Sequence, residues 1–221
     1  PPLLLRLFFM LNNDLIEAYC RAHSSRPHPA LDELERATHL RALSPQMLSG
    51  PVQGALLYLF VRMTRPRRAL EIGAFTGYAS VCIAQGMPDD GILHAIEVND
   101  ELKALIEQHI CKASLQHKIR LHIGDAAQVI PTIPDTFDMA FMDAGKLDYL
   151  MHYELVKPRL NPGGWLLADN VLWDGKTVSD EKDATAQALR EFNKRVHEDP
   201  DMENVILPIR DGLLLAQKKV L

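Results

Sequence analysis

"RRALEIGAFTGY", residues 67–78, decides the fold. Arg67 to Gly73 is a short apolar run with one acid, Glu71, inside it. Gly73 and Gly77 follow at G-x-x-x-G spacing, and a helical pattern begins at the second glycine. An apolar run that ends in glycine and opens into a helix is a strand-to-helix turn. The glycine lets backbone approach a ligand closely. The G-x-G-x-x-G of a dinucleotide cradle is absent, which speaks against a tight pyrophosphate seat.

Downstream the same unit recurs. "GILHAIEV" (91–98), "KIRLHIG" (118–124), "FDMAFMD" (137–143) and "GGWLLAD" (163–169) read as further strands. Helical patterns lie between and after them: near 77–87, at 100–113, to about Ile130, through Leu155, and over 184–198. "NVILPI" (204–209) and "GLLLAQK" (212–218) follow as two strands with only Arg210-Asp211 between their cores, a hairpin spacing. Continuous apolar strands alternating with helices predict an α/β fold, a parallel sheet covered on both faces. The hairpin adds an antiparallel strand. Upstream, residues 12–64 read as helical, with breaks at Pro27, Pro29 and Pro45. "LDELERATHLRAL" carries a narrow apolar stripe at 31, 34, 37, 40 and 43. The expected organisation is a single domain over 1–221, with a helical cap over 1–64 and an α/β core over 65–221.

Bulk properties fit one such domain. The chain has 221 residues, 47% hydrophobic and 24% charged, enough to bury a core without disulfide staples. A net charge of −5 gives no electrostatic footprint for nucleic acid, which a local basic patch alone would have to supply. The cysteines, Cys20, Cys82 and Cys111, are odd in number and form no C-x-x-C pair. Each falls in a helical pattern, so buried free thiols and a reducing, cytoplasmic setting are expected. No apolar stretch reaches the ~18 residues that span a bilayer. "PPLLLRLFFML" (1–11) has neither a basic leader nor a small-residue cleavage site, and reads as a packing arm.

Ligands of open parallel sheets bind beyond the carboxyl ends of the strands. Glu71 is costly inside a strand unless something pairs with it, and a cationic ligand group would. Glu97 ends the second strand, where an acid accepts from ribose hydroxyls. Gly124 turns the chain, and Asp125 suits a helix cap as well as a ligand. The fourth strand ends at Asp143 and the fifth at Asp169-Asn170. Two carboxylates and an amide carbonyl are hard donors and suit Mg²⁺ better than zinc. His94, within a strand, reads as a packed residue.

These residues resemble the cation-dependent class I S-adenosylmethionine O-methyltransferases, the catechol and caffeoyl-CoA O-methyltransferase family. The likeness runs from about Arg36 to the C-terminus through "ALEIGAFTGY", "DGILHAIEVN", "FMDAGK" with Tyr149, "GGWLLADNVLWDGK" and "LPIRDGL", in the family's order. It implies a Rossmann-like seven-stranded sheet of order 3-2-1-4-5-7-6 with strand 7 antiparallel. It also implies S-adenosylmethionine and a divalent cation as cofactors. By position it places Ser49, Glu71, Gly73, Phe75, Gly77, Tyr78, Glu97, Val98, Asp125, Ala126 and Asp143 around S-adenosylmethionine. Asp143, Asp169 and Asn170 would hold the metal. Lys146, with Asp143, would be catalytic. Met47, Lys146, Asn170 and Trp173 would meet the substrate. The implied reaction is methyl transfer to a hydroxyl of a catechol-type molecule, including a caffeoyl-type ester or thioester, by an enzyme that is often a homodimer. The chain leaves the family pattern at Ala79, where a serine is usual, at Gln53, where several relatives carry an acid, and at Gly145, where relatives carry an aspartate or a bulky side chain. Three other readings stay open at this point. A tRNA hydroxyuridine O-methyltransferase and a non-catalytic S-adenosylmethionine-binding relative share the fold. An NAD-dependent oxidoreductase shares the sheet but gives Asp169-Asn170 no work.

Overall fold

The computed structural model describes residues 15–26, 28–179 and 182–220. The arm over 1–11 and the break at Pro27 lie outside them. After a helical stretch over 15–22, the elements are α1 (Ala30–Arg41), α2 (Gly50–Thr64), β1 (Arg68–Ile72), α3 (Tyr78–Gly86), β2 (Ile92–Glu97), α4 (Lys103–Lys112), β3 (Ile119–Ile123) and α5 (Ala126–Val129). There follow β4 (Phe137–Met142), α6 (Tyr149–Val156), β5 (Leu160–Asp169), α7 (Ala184–His197), β6 (Met202–Leu207) and β7 (Leu213–Lys218).

The strands form one sheet in the order β3-β2-β1-β4-β5-β7-β6. β1 pairs in parallel with β2 and β4, and β7 runs antiparallel between β5 and β6. The apolar runs explain this. Phe137, Met139, Ala140, Phe141 and Met142 of β4 are all inaccessible to solvent, as a central strand covered on both faces must be. One face packs on α1–α4 through Leu31, Leu57, Val81 and Ile106. The other packs on α5–α7 through Ile130, Tyr153, Leu189 and Phe192. The N-terminal helices thus share a core with the sheet.

Local chemistry sets the helix ends. Pro51 stands in the first turn of α2, and Arg65, at φ 51°, returns its N–H to the Val61 carbonyl to end that helix. Asp183 caps α7 by accepting from Ala186 N at 2.9 Å, and Lys194 and Arg195 lie in its last turn, where the helix dipole favours positive charge.

The structure departs from sequence expectation at several edges. β6 begins two residues earlier than the apolar run suggests and ends at Leu207, so residues 208–212 form the turn rather than Arg210-Asp211 alone. β5 begins at Leu160, because Leu160 already pairs with Phe137 and the register then shifts before Trp165 meets Met139. The α1 stripe fails at its end. Leu40 and Leu43 are 74% and 99% exposed, while Thr38 is buried and hydrogen-bonds Thr76. Of the cysteines only Cys82 is buried; Cys111 is exposed. His94 is packed, held between His122 and Asp135 at 2.9 Å each.

Candidate functional site

The strand order reverses between β1 and β4, and a cavity of about 500 Å³ opens at their carboxyl ends. Crevices at such switch points hold ligands in open sheets.

Gly73 makes the crevice possible. It sits at φ +94°, and a Cβ there would lie 2.3 Å from the Asp143 carbonyl oxygen. Only glycine lets the ends of β1 and β4 come this close. Its N–H and that of Ala74 bond the Ile96 carbonyl at 2.9 and 3.0 Å, tying in the end of β2. Phe75, at φ 52°, turns its N–H onto Glu97 Oε2 at 2.7 Å, and Asn99 N bonds Oε1 at 2.9 Å. The Glu97 carboxylate is thereby fixed with its other lone pairs free for hydroxyl donors. Asp125 caps α5 through Ala127 N at 2.7 Å and still lines the cavity.

Opposite lies the acidic end. Lys146 Nζ donates to Asp143 Oδ1 and to the Tyr149 hydroxyl, both at 2.8 Å. Tyr149 is fully buried, and its own proton goes to the carbonyls of Met142 (3.0 Å) and Asp169 (2.9 Å). Asp169 is 3% exposed. Burial, then the neighbouring Asp143 charge, raise its pKa, against Gln53, Arg210 and Lys146. Two carboxylates in conflict beside the Asn170 amide form a donor set that a hard cation would relieve. Among the described residues no three His, Cys, Asp or Glu side chains gather as a metal group, so an ion here would rest on this oxygen set.

Met47, Gly73, Phe75, Glu97, Val98, Asp125, Ala126, Asp143, Lys146, Asn170 and Trp173 all line the one cavity. Ser49, Glu71, Gly77, Tyr78 and Asp169 do not line it. Glu71 is inaccessible, accepts from Ser80 Oγ at 2.5 Å, and has an unpartnered Oε1. Burial pushes its pKa up to about 8. Gly77, at φ 89°, precedes α3. Tyr78 is core, pressed on α2 where a Cβ at Gly54 would meet its ring at 2.7 Å.

The O-methyltransferase family model matches residues 21–219. The chain belongs to the O-methyltransferase family. Its sequence is 32% identical to Catechol O-methyltransferase domain-containing protein 1 of Mus musculus, over 90% of this chain and 78% of that one. It is 29% identical to Caffeoyl-CoA O-methyltransferase 2 of Petunia hybrida, over 95% and 92%. The O-methyltransferase TomG of Streptomyces achromogenes, solved in complex with SAM, superposes with a TM-score of 0.86 at 28% identity, covering 93% of this chain and 96% of that one.

Sequence reasoning missed two residues of this O-methyltransferase. Tyr149 read only as a motif position, though a tyrosine three residues after Lys146 on a new helix turn is placed to reach it. His152 lines the cavity, 5% exposed, with Nδ1 unpartnered; one histidine among nine gave no signal.

Proposed function

We propose that this O-methyltransferase carries the methyl of S-adenosylmethionine to one hydroxyl of a catechol-type small molecule, with Mg²⁺ as its divalent cation. The observation that carries the reading is the shared cavity: Glu97 and Ala126 line it together with Asp143, Lys146, Asn170 and Trp173.

In this reading Glu97 accepts from the ribose hydroxyls, and Val98, Asp125 and Ala126 border the purine. Glu71 waits behind the Gly73 turn for the cationic end of the methionine. Asp143, Asp169 and Asn170 would hold the cation, whose chemistry is Lewis-acid polarisation of the two vicinal oxygens. Met47 and Trp173 flank a flat ring, which holds its oxygen in line with the methyl. Lys146, aimed by Asp143 and Tyr149, stands at the attacking oxygen. There it takes the departing proton or balances the phenolate charge.

The test is methyl transfer from labelled S-adenosylmethionine, with Mg²⁺, to a panel of simple catechols, a caffeoyl thioester and tRNA. Labelled vicinal phenols are expected. Label only in tRNA, or binding of S-adenosylmethionine without turnover on any acceptor, would sink the reading.

A further inference from the structure

The turn between β6 and β7 touches both walls of the acceptor end. Arg210 sits in it at φ 51°, a left-handed conformation that glycine adopts freely and arginine does not. A side chain persists there only when its surroundings hold it. Here the guanidinium does the holding. It donates to the carbonyl of Leu48 at 3.3 Å, to the carbonyl of Ser49 and to Oε1 of Gln53. Leu48 and Ser49 follow directly on Met47, which lines the cavity, and Gln53 lies in the first turns of α2. Gln53 in turn lies close enough to Asp169 to lower its pKa, with its buried Nε2 unpartnered.

The next two residues grip the other wall. The Asp211 carbonyl accepts from Leu172 N at 2.9 Å, and the Gly212 carbonyl from Val171 N at 3.0 Å. Asp211 Oδ1 accepts from Asp174 N at 2.6 Å. Trp173 lies within that grip, itself at φ 50° beside Asp174 at φ 52°. Gly212 has no room for a side chain, since a Cβ would come 2.4 Å from Leu172 Cγ.

We propose that Arg210, Asp211 and Gly212 form a two-sided clamp that sets Met47 against Trp173 and so selects the acceptor, a flat aromatic ring of limited width. The proposal rests on the methyl-transfer reading of the cavity and deepens it. None of the three lines the cavity, so they act as positioning residues. Charge-assisted bonds from a forked guanidinium give such a clamp direction as well as strength. The strained backbone at Arg210, Trp173 and Asp174 is then what keeps the two walls in register.

Arg210→Gly removes one arm and relieves its backbone; Asp211→Ala removes the carboxylate of the other. Amide hydrogen exchange on the full chain with S-adenosylhomocysteine bound reads each arm separately. Arg210→Gly should speed exchange over 48–53 by about tenfold or more while 171–174 changes by less than about twofold, and Asp211→Ala should do the reverse. In turnover both should raise the acceptor KM by about tenfold and even out the two regioisomers, with S-adenosylhomocysteine affinity within about twofold of wild type. Arg210→Lys, which lacks the fork, should behave as Arg210→Gly. Unchanged exchange over 48–53 in Arg210→Gly overturns the clamp, as do equal shifts in acceptor KM and S-adenosylhomocysteine affinity. A wild-type enzyme that methylates no vicinal phenol overturns the acceptor reading instead, and the exchange result then decides the clamp alone.

Discussion

Lys146 Nζ lies 2.8 Å from Asp143 Oδ1. An ammonium has three N–H directions. Asp143 takes one and the Tyr149 hydroxyl, at 2.8 Å, takes a second. The Lys146 side chain is 9% exposed, and the residue lines the cavity. The lysine is therefore held by two partners, with one direction at Nζ left over.

Replacing Lys146 with Met should lower kcat by about 10²- to 10⁴-fold, the usual range for a positioned acid–base group. Affinity for S-adenosylhomocysteine, read by calorimetry, should not move. A variant that keeps wild-type kcat would remove Lys146 from the chemistry.

Tyr149→Phe deletes a hydroxyl that meets Lys146 and the carbonyls of both Met142 and Asp169. Leaving buried acceptors unpaired costs about 1–3 kcal/mol, so a urea titration should show a loss of that order. The lysine also loses its second anchor, and a misaimed group costs rate; kcat should fall by about tenfold or more. Stability and rate both unchanged would show that the hydroxyl supports neither.

Glu71 yields a proton-linked prediction. Its folded pKa is raised by burial from 4.5 to about 8, against Ser80 and reinforced by Asp143 and Glu97. In the free enzyme at pH 7 it is mostly protonated. That contribution to stability is full below the unfolded value of 4.5 and fades as pH rises through about 8. If the cationic end of the cofactor pairs with it, binding must ionise it. Calorimetry at pH 7 in buffers of different ionisation enthalpy should therefore show close to one proton released, and Glu71→Gln should abolish the release. Binding with no proton exchange would separate Glu71 from the cofactor.

His94 and His122 share a 2.9 Å contact at the β2–β3 edge, with Asp135 on the far side of His94. Burial lowers both pKa values, and Arg120 and Arg68 add to the effect at His94. The folded state keeps them neutral below the point where the unfolded chain, at about 6.5, takes up protons. Stability from this pair is full above that value and is lost as pH falls through it. The melting temperature should drop between pH 7 and 5, and His122→Gln should flatten that slope. A slope identical in the variant would place the acid sensitivity elsewhere.

How far the sequence could be read depends on the kind of signal. β1, β2 and β4 are continuous apolar runs ended by Gly73, Glu97 and Asp143, so period and punctuation name them directly. Their strand-end residues gather on one cavity because a parallel sheet puts all those ends on one side. What stayed hidden depends on tertiary packing. Thr38 rather than Leu40 faces the core because α1 meets Thr76 there. Glu71 reads as a ligand residue, but nothing local shows that Ser80 also fixes one of its carboxyl oxygens. Arg210 looks like turn filler in "PIRDG", and its grip on Leu48, Ser49 and Gln53 spans more than 150 residues of chain. Such contacts have no local pattern to betray them.

The most direct measurement is metal-dependent turnover. Purified enzyme, stripped with a chelator, is supplied with labelled S-adenosylmethionine and a catechol, and Mg²⁺ is titrated back in. Transfer should vanish on stripping and return with Mg²⁺. It should stay absent in Asp169→Ala, and Mg²⁺ should raise the melting temperature of the wild type but not of this variant. Full transfer by the stripped enzyme, with Mg²⁺ shifting neither rate nor melting temperature, would contradict the account.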